Sequence, residues 1–188
     1  MNKNRIFLVG YMGSGKSSVG RLLAKKIGWQ FIDMDLFIEN RYRKSVSQIF
    51  SANGETVFRE IEQTILQEVA LFEQAVISTG GGAPCFHNNM TLMKQMGVVV
   101  YLKVPIPQLT KRLEASKQSR PLINNKTKEE LTVFVTENLK AREVFYNEAD
   151  IILDIDKIPP PTDADGIATR LACDFRKFES LCSKNICV

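Results

Sequence analysis

The clearest chemical signal in the sequence is a glycine-rich run: residues 10–17 read GYMGSGKS and fit the pattern GxxxxGK[ST]. Glycines allow successive backbone N–H groups to turn towards phosphate oxygens, at the positive end of a following helix. Lys16 would reach the β- and γ-phosphates of ATP, and the Ser17 hydroxyl would bind Mg²⁺. The run therefore predicts ATP as co-substrate and Mg²⁺ as cofactor. The candidate nucleotide contacts are Gly13, Ser14, Gly15, Lys16, Ser17 and Ser18.

Two other interpretations explain less of this run. An ordinary glycine turn with an exposed lysine is the simplest, but a chance match to the whole pattern between an apolar strand and a helix is rare. A dinucleotide-binding fingerprint is matched in part, by Gly13, Gly15 and Asp33. That fingerprint needs a glycine where Ser18 stands and has no role for Lys16, so we prefer the ATP interpretation.

Two carboxylates, Asp33 and Asp35, follow the second apolar strand. Beside a magnesium nucleotide, one carboxylate can hold a metal-bound water while the other accepts a hydrogen bond from a substrate hydroxyl. The alternative is that one of them caps the next helix. Capping accounts well for one carboxylate and less well for two.

Two further segments are suited to anionic ligands. Gly80, Gly81 and Gly82 follow the third apolar strand, and three glycines in a row permit close backbone approach to a ligand. Residues 114–128 form a long polar stretch, a length that is often found in lids. If this loop closes over the γ-phosphate, Arg120 becomes an arginine finger supplied by the same chain. The alternative is a surface loop with no role in catalysis.

The motifs stand between alternating strand and helix patterns. Helical patterns separate five short apolar strands, expected at residues 6–9, 31–32, 75–78, 98–102 and 151–153. This alternation predicts an α/β three-layer sandwich, with a five-stranded parallel sheet between helices. Ligands of such folds collect at the carboxyl ends of the strands, where the motifs lie. A turn at Asn53-Gly54 and a last helix at about residues 163–181 complete the prediction.

Composition limits the class of protein. The 188 residues suffice for one domain, and a net charge of +4 is too small for the basic face of a nucleic-acid binder. The amino terminus has neither a signal peptide nor a membrane span, and the four cysteines lack CxxC spacing. We therefore expect a single monomeric domain over residues 1–188 in the cytoplasm, with reduced thiols and no nucleic-acid or membrane partner.

Five segments together resemble shikimate kinases in order and approximate spacing: GYMGSGKSSVGR at 10–21, DMD at 33–35, FREIE at 58–62, TGGG at 79–82 and RPL at 120–122. The resemblance covers residues 5–154. It implies a P-loop kinase of the nucleoside monophosphate kinase-like fold with a lid loop. It also implies that ATP and Mg²⁺ are used to phosphorylate a hydroxyl of shikimate.

The same resemblance implies individual roles. It places Asp33 with Ser17 on the metal side and makes Asp35 a substrate ligand and candidate general base. Arg59 and Arg142 match the arginines that grip the substrate carboxylate. The residues with catalytic roles are Lys16, Asp35 and Arg120, and those that bind substrate are Asp35, Arg59, Gly80, Gly81, Gly82 and Arg142.

Some matches have simpler interpretations when the residues are taken alone. Arg59 lies between Glu55 and Glu62 in a helical run, which is typical of a solvated ion-pair face. Arg142 is one charge on an amphipathic helix. The family's adenine-contacting arginine has Arg112 and Lys117 as its nearest candidates here.

Two other functions remain open at this stage. A kinase for gluconate or a nucleoside monophosphate would share the loop and the fold, but Arg59, Arg142 and the glycine triplet favour a small carboxylated substrate. A nucleotide-binding regulator without turnover would not need an intact set of kinase residues. That set is Lys16, Ser17, Asp33, Asp35 and Arg120.

Overall fold

Five parallel strands form a sheet at the centre of the protein. The computed structural model describes residues 4–116 and 123–184, with side chains described as far as residue 175. The strands are β1 (Arg5–Val9), β2 (Gln30–Asp33), β3 (Ala75–Ser78), β4 (Val98–Lys103) and β5 (Ile151–Asp154). Their order is β2-β3-β1-β4-β5, and each neighbouring pair is parallel. The predicted parallel sheet is confirmed.

Helices connect the strands and complete a three-layer α/β sandwich, as predicted. Within the described residues they are α1 (Lys16–Ile27), α2 (Met34–Tyr42), α3 (Val46–Val69), α4 (Asn89–Met96), α5 (Ile106–Ala115), α6 (Lys128–Tyr146) and α7 (Ala164–Lys184), with a 3₁₀ turn at Ala83–Cys85. Helix α1 packs against α7, and α5 packs against α6. No helix in the described part of the chain combines the length and apolar character needed to cross a membrane.

The strands are apolar because the sheet is covered on both faces. In β1 the side chains of Phe7, Leu8 and Val9 are fully buried, and every residue of β3 is buried. A parallel sheet between two helical layers favours continuous apolar runs over an alternating pattern. Strands β1, β3 and β4 have that character, whereas β2 and β5, at the edges of the sheet, are only partly buried.

Local signals set several helix boundaries. Ser45 starts α3 with a capping box, in which its side chain accepts from the Gln48 amide and the Gln48 side chain accepts from the Ser45 amide. The same device at Thr127 starts α6. Helix α3 is broken at Gly54, whose φ of 77° lies in the left-handed region, so the predicted turn is confirmed.

The expected lid differs from the structure at its ends. Helix α5 continues to Ala115 and α6 begins at Lys128, which leaves residues 116–127 as the connection instead of 114–128. Residues 117–122, which include Arg120, lie outside the described residues. Ile123 is fully buried, so the connection is anchored to the core again just after them.

Strand order places a crevice at the end of β1. The chain leaves β1 through α1 towards β2 at one edge of the sheet, and it leaves β4 through α5 and α6 towards β5 at the other edge. In α/β sheets, ligands bind where neighbouring strands send their connections in opposite directions. Here that position is occupied by the glycine-rich loop between β1 and α1.

Gly97, just before β4, packs closely against the backbone of β1, and its replacement tests this packing. A Cβ atom at Gly97 would lie 2.6 Å from the Arg5 carbonyl oxygen and 2.9 Å from the Phe7 ring. We expect Gly97→Ala to lower the free energy of unfolding by about 2 kcal/mol, because backbone atoms must move apart. Urea unfolding measures this change. The exposed control Gln95→Ala should change it by less than about 0.5 kcal/mol, and equal effects would contradict the argument.

Candidate active site

The loop between β1 and α1 has the geometry of a phosphate-binding loop. Gly13 and Gly15 adopt φ values of 81° and 94°, a region that glycine enters without steric cost. Lys16 is only 8% exposed, and its Nζ donates to the carbonyl oxygens of Gly10 at 2.8 Å and Tyr11 at 3.0 Å. The interpretation as a turn with an exposed lysine is therefore wrong. The ammonium lies across the loop, at the amino terminus of α1.

Ser14 is another residue of this loop whose side chain is buried. Its Oγ is buried and has no hydrogen-bond partner among the described residues. A buried hydroxyl without a partner carries an energetic cost, which a bound phosphate oxygen would relieve. Ser18, one turn further into α1, is exposed and lines the same cleft.

Ser17 and Asp33 are in direct contact on the metal side. The Ser17 hydroxyl donates to Asp33 Oδ2 at 2.6 Å, while Asp33 Oδ1 accepts from the amides of Asp35 and Leu36. Asp33 is thus the cap of α2 and a neighbour of the nucleotide loop at once. Ser78 Oγ lies 3.3 Å from Ser17 Oγ. This all-oxygen set has the donor chemistry that Mg²⁺ prefers, with phosphate and water oxygens completing its coordination.

Ser78 was not identified from the sequence as a site residue. It ends β3 directly opposite Asp33 in the register of β2 and β3. Thr79, which the motif included, instead turns its hydroxyl to the Leu8 carbonyl oxygen at 3.1 Å. The pairing of β2 with β3 is the signal that identifies Ser78, since residues paired at the carboxyl edge of a parallel sheet lie side by side at the same ligand site.

A cleft of about 490 Å³ runs along the glycine-rich loop. Asp35 and Gly81 line this cleft together with Thr162, Ala164 and Ile167. Arg112 also lines it and donates to the carbonyl oxygens of Gly13 and Ser14 at 3.2 and 3.3 Å. The nucleotide loop and Asp35 therefore share one cleft.

A side chain at any of the three glycines after β3 would come into close contact with neighbouring residues. A Cβ at Gly81 would lie 3.2 Å from the Met12 amide nitrogen, so this backbone lies against the nucleotide loop. A Cβ at Gly80 would overlap Glu62 Oε1 and lie 3.2 Å from Asp35 Oδ1. At Gly82 it would lie 2.5 to 2.7 Å from the guanidinium of Arg59. The triplet is thus the meeting point of the predicted substrate residues.

Arg59 is buried, so its interpretation as part of a solvated ion-pair face is wrong. Its side chain is 9% exposed; Nη1 donates to Glu62 at 2.7 Å, and both Nη2 and Nε donate to Glu55. Burial raises the pKa of the Glu62 carboxyl, and the charge of Arg59 only partly offsets this. Burial opposes the charged form of Arg59, but the two glutamates outweigh it and raise its pKa.

Arg142 approaches the triplet from α6. Its guanidinium carbon lies 5.6 Å from the centre of the Tyr11 ring. Its charge opposes the rise that burial causes in the pKa of Tyr146, whose hydroxyl donates to the Gly81 carbonyl oxygen. Burial raises the pKa of the Cys85 thiol to about 11, and Arg142 and Arg59 both act against that rise. The two arginines therefore act on one small region, although they come from different parts of the chain.

The fold and the nucleotide loop together define a P-loop kinase, in which a parallel sheet of this order presents the loop at the end of its first strand. Comparison with known families narrows the class. The family model described as "Shikimate kinase" matches residues 12–172. This chain belongs to the shikimate kinase family.

Individual relatives agree with this assignment. A shikimate kinase from Parabacteroides distasonis is 52% identical over 167 residues, which cover 89% of this chain and 96% of the relative. The crystal structure of a shikimate kinase from Bacteroides thetaiotaomicron superposes with a TM-score of 0.86 at 42% identity, covering 92% of this chain and 98% of that chain. An Acinetobacter baumannii shikimate kinase, solved in complex with shikimate, has a TM-score of 0.78 at 32% identity, covering 100% of this chain and 97% of that chain.

The buried ion pair predicts an unequal response of two glutamates. Glu62→Gln keeps the shape of the side chain but leaves the Arg59 charge with one exposed partner, so we expect the free energy of unfolding to fall by about 3 kcal/mol. Glu55 is 54% exposed, and Glu55→Gln should cost less than about 1 kcal/mol. Urea unfolding at pH 7 compares the two variants. Similar losses for both would contradict a buried Arg59–Glu62 pair.

Proposed function

We propose that this chain transfers the γ-phosphoryl group of ATP to a hydroxyl of shikimate. The observation that carries the proposal is the buried Arg59 guanidinium, held beside the glycine triplet at the end of a nucleotide cleft. Arg59 has five N–H groups and uses three on Glu55 and Glu62. One N–H on Nη1 and one on Nη2 have no acceptor among the described residues. Two guanidinium N–H donors of this kind suit a carboxylate.

In this proposal the nucleotide loop holds the phosphates of ATP. The amides of residues 13–18 and the Ser14 hydroxyl bind phosphate oxygens. Lys16 leaves the carbonyl oxygens of the loop and binds the β- and γ-phosphates instead. Ser17 and Asp33 would hold Mg²⁺, which supplies charge neutralisation on the phosphates. The adenine would lie at the far end of the cleft, between Arg112 and the start of α7.

The substrate would occupy the other end of the cleft. Arg59 and Arg142 bind its carboxylate, while the backbone of Gly80, Gly81 and Gly82 surrounds it. Asp35 accepts the proton of the attacking hydroxyl as the new oxygen–phosphorus bond forms and the bond to the β-phosphate oxygen breaks, releasing ADP. Arg120 would stabilise the charge on the transferring group from the connection 116–127.

The proposal also covers the oligomeric state, the number of domains and the cellular compartment. We propose a monomer with one domain over residues 1–188. Cys85 and Cys173 are free thiols, in keeping with a reducing compartment such as the cytoplasm.

Substrate choice is the direct test of the proposed reaction. ADP release should occur with shikimate and should remain at background with gluconate, AMP and CMP. AMP and CMP have no carboxylate for Arg59, and the open chain of gluconate does not hold a hydroxyl at the fixed distance from the carboxylate that the shikimate ring sets. A coupled ADP assay at saturating ATP and Mg²⁺ measures all four. Turnover on gluconate or a nucleotide alone would overturn the proposal, and ATP binding without any turnover would favour a regulator.

Replacement of Arg59 tests its proposed contact with the carboxylate. Arg59→Lys retains a charge but loses the fork, so we expect KM for shikimate to rise about 10- to 100-fold while KM for ATP changes less than about threefold. Arg41→Ala is the control, since Arg41 pairs with Glu68 on the surface and should leave both constants unchanged. An equal rise in both constants for Arg59→Lys would count against the role.

A further inference from the structure

Phe86 forms a close contact with Arg59, and the proposed reaction assigns no role to Phe86. The guanidinium carbon of Arg59 lies 4.3 Å from the centre of the Phe86 ring, well within the range of a cation–π interaction. Phe58, the neighbour of Arg59 on α3, is further away at 5.3 Å. Phe86 is half-buried and lies just after the 3₁₀ turn Ala83–Cys85.

The location of Phe86 makes this contact more than local packing. Arg59 belongs to α3, while Phe86 belongs to the loop that continues from Gly82. That loop already touches Arg59, because Gly82 lies against the guanidinium with no room for a side chain. The ring and the glycine thus tie the guanidinium to the backbone that surrounds the proposed substrate site.

The hydrogen bonds of Arg59 hold the two edges of its guanidinium unequally. Glu62 is buried, but Glu55 is 54% exposed, so water and salt weaken the bonds on that edge. The contact of an aromatic ring with the guanidinium is less sensitive to salt, because the ring carries no net charge. At 4.3 Å the Phe86 ring restricts the movement of the guanidinium and excludes water from that side.

We propose that Phe86 is a positioning residue, which holds the Arg59 guanidinium in the plane required to bind the carboxylate of the substrate. The inference rests on the proposed function of Arg59 as a carboxylate ligand. Phe86 itself need not touch the substrate, and its effect passes through Arg59. Its loss should therefore weaken recognition of the carboxylate more than any other step.

The first experiment compares two substitutions of Phe86 by steady-state kinetics. Phe86→Leu removes the ring and keeps an apolar side chain, so KM for shikimate should rise about tenfold, with kcat and KM for ATP within about threefold of the parent. Phe86→Tyr keeps the ring and should restore KM for shikimate to within about twofold. An unchanged KM in Phe86→Leu, or an equal loss in Phe86→Tyr, would overturn the inference.

A second readout separates positioning from a structural effect. We would measure kcat/KM for an analogue in which a hydroxymethyl group replaces the carboxylate of shikimate. Phe86→Leu should lower kcat/KM for shikimate about tenfold and leave that for the analogue nearly unchanged, because the analogue makes no carboxylate contact with Arg59. Equal losses on both substrates would mean that Phe86 only supports the fold, and would overturn the inference.

Phe31→Leu is the matched control, since the Phe31 ring packs on Arg21 at 5.0 Å and neither residue belongs to the proposed site. It should leave KM for shikimate unchanged. Arg59→Lys distinguishes the two proposals. If Arg59→Lys raises KM for shikimate and Phe86→Leu does not, only the role of Phe86 fails. If neither variant changes it, the carboxylate role of Arg59 fails, and the inference fails with it.

Discussion

The contact between two glycine loops governs the arrangement of the site. Strands β1 and β3 are parallel neighbours, so the loops that follow them leave the same edge of the sheet, and the backbone at Gly81 lies against that at Met12. A side chain at Gly81 would press on the nucleotide loop. Because backbone atoms set this spacing, the separation between the phosphates and the proposed substrate site does not depend on the rotamers of long side chains.

The buried charges beside these loops are costly for stability. A buried arginine and glutamate each lose solvation, and an apolar pair of similar volume often gives an equally or more stable fold. Glu62 shows this cost directly, since burial raises the pKa of its carboxyl in spite of two nearby arginines. The pair is better explained by the orientation it gives to Arg59 than by a gain in folding free energy.

The sequence was most informative where local rules decide the structure. The nucleotide loop, the apolar strands and the turn at Asn53-Gly54 depend on neighbours along the chain, and the sequence alone predicts each of them. The burial of Arg59, the hydroxyl of Ser78 and the ring of Phe86 depend on partners far apart in sequence. An i,i+4 pattern of charges looks the same on a solvated helix and in a buried site, so only tertiary packing could separate the two interpretations of Arg59.

The connection between α5 and α6 joins two helices that each contact one of the two glycine loops. It begins at a helix whose Arg112 donates to the nucleotide loop, and it ends at a helix whose Tyr146 donates to the Gly81 carbonyl oxygen. Its return to the core is secured by buried Ile123 and by the capping box at Thr127. In sequence, Arg120 lies between a helix that contacts the nucleotide loop and a helix that contacts the glycine triplet, and this order along the chain supports its proposed contact with the γ-phosphate.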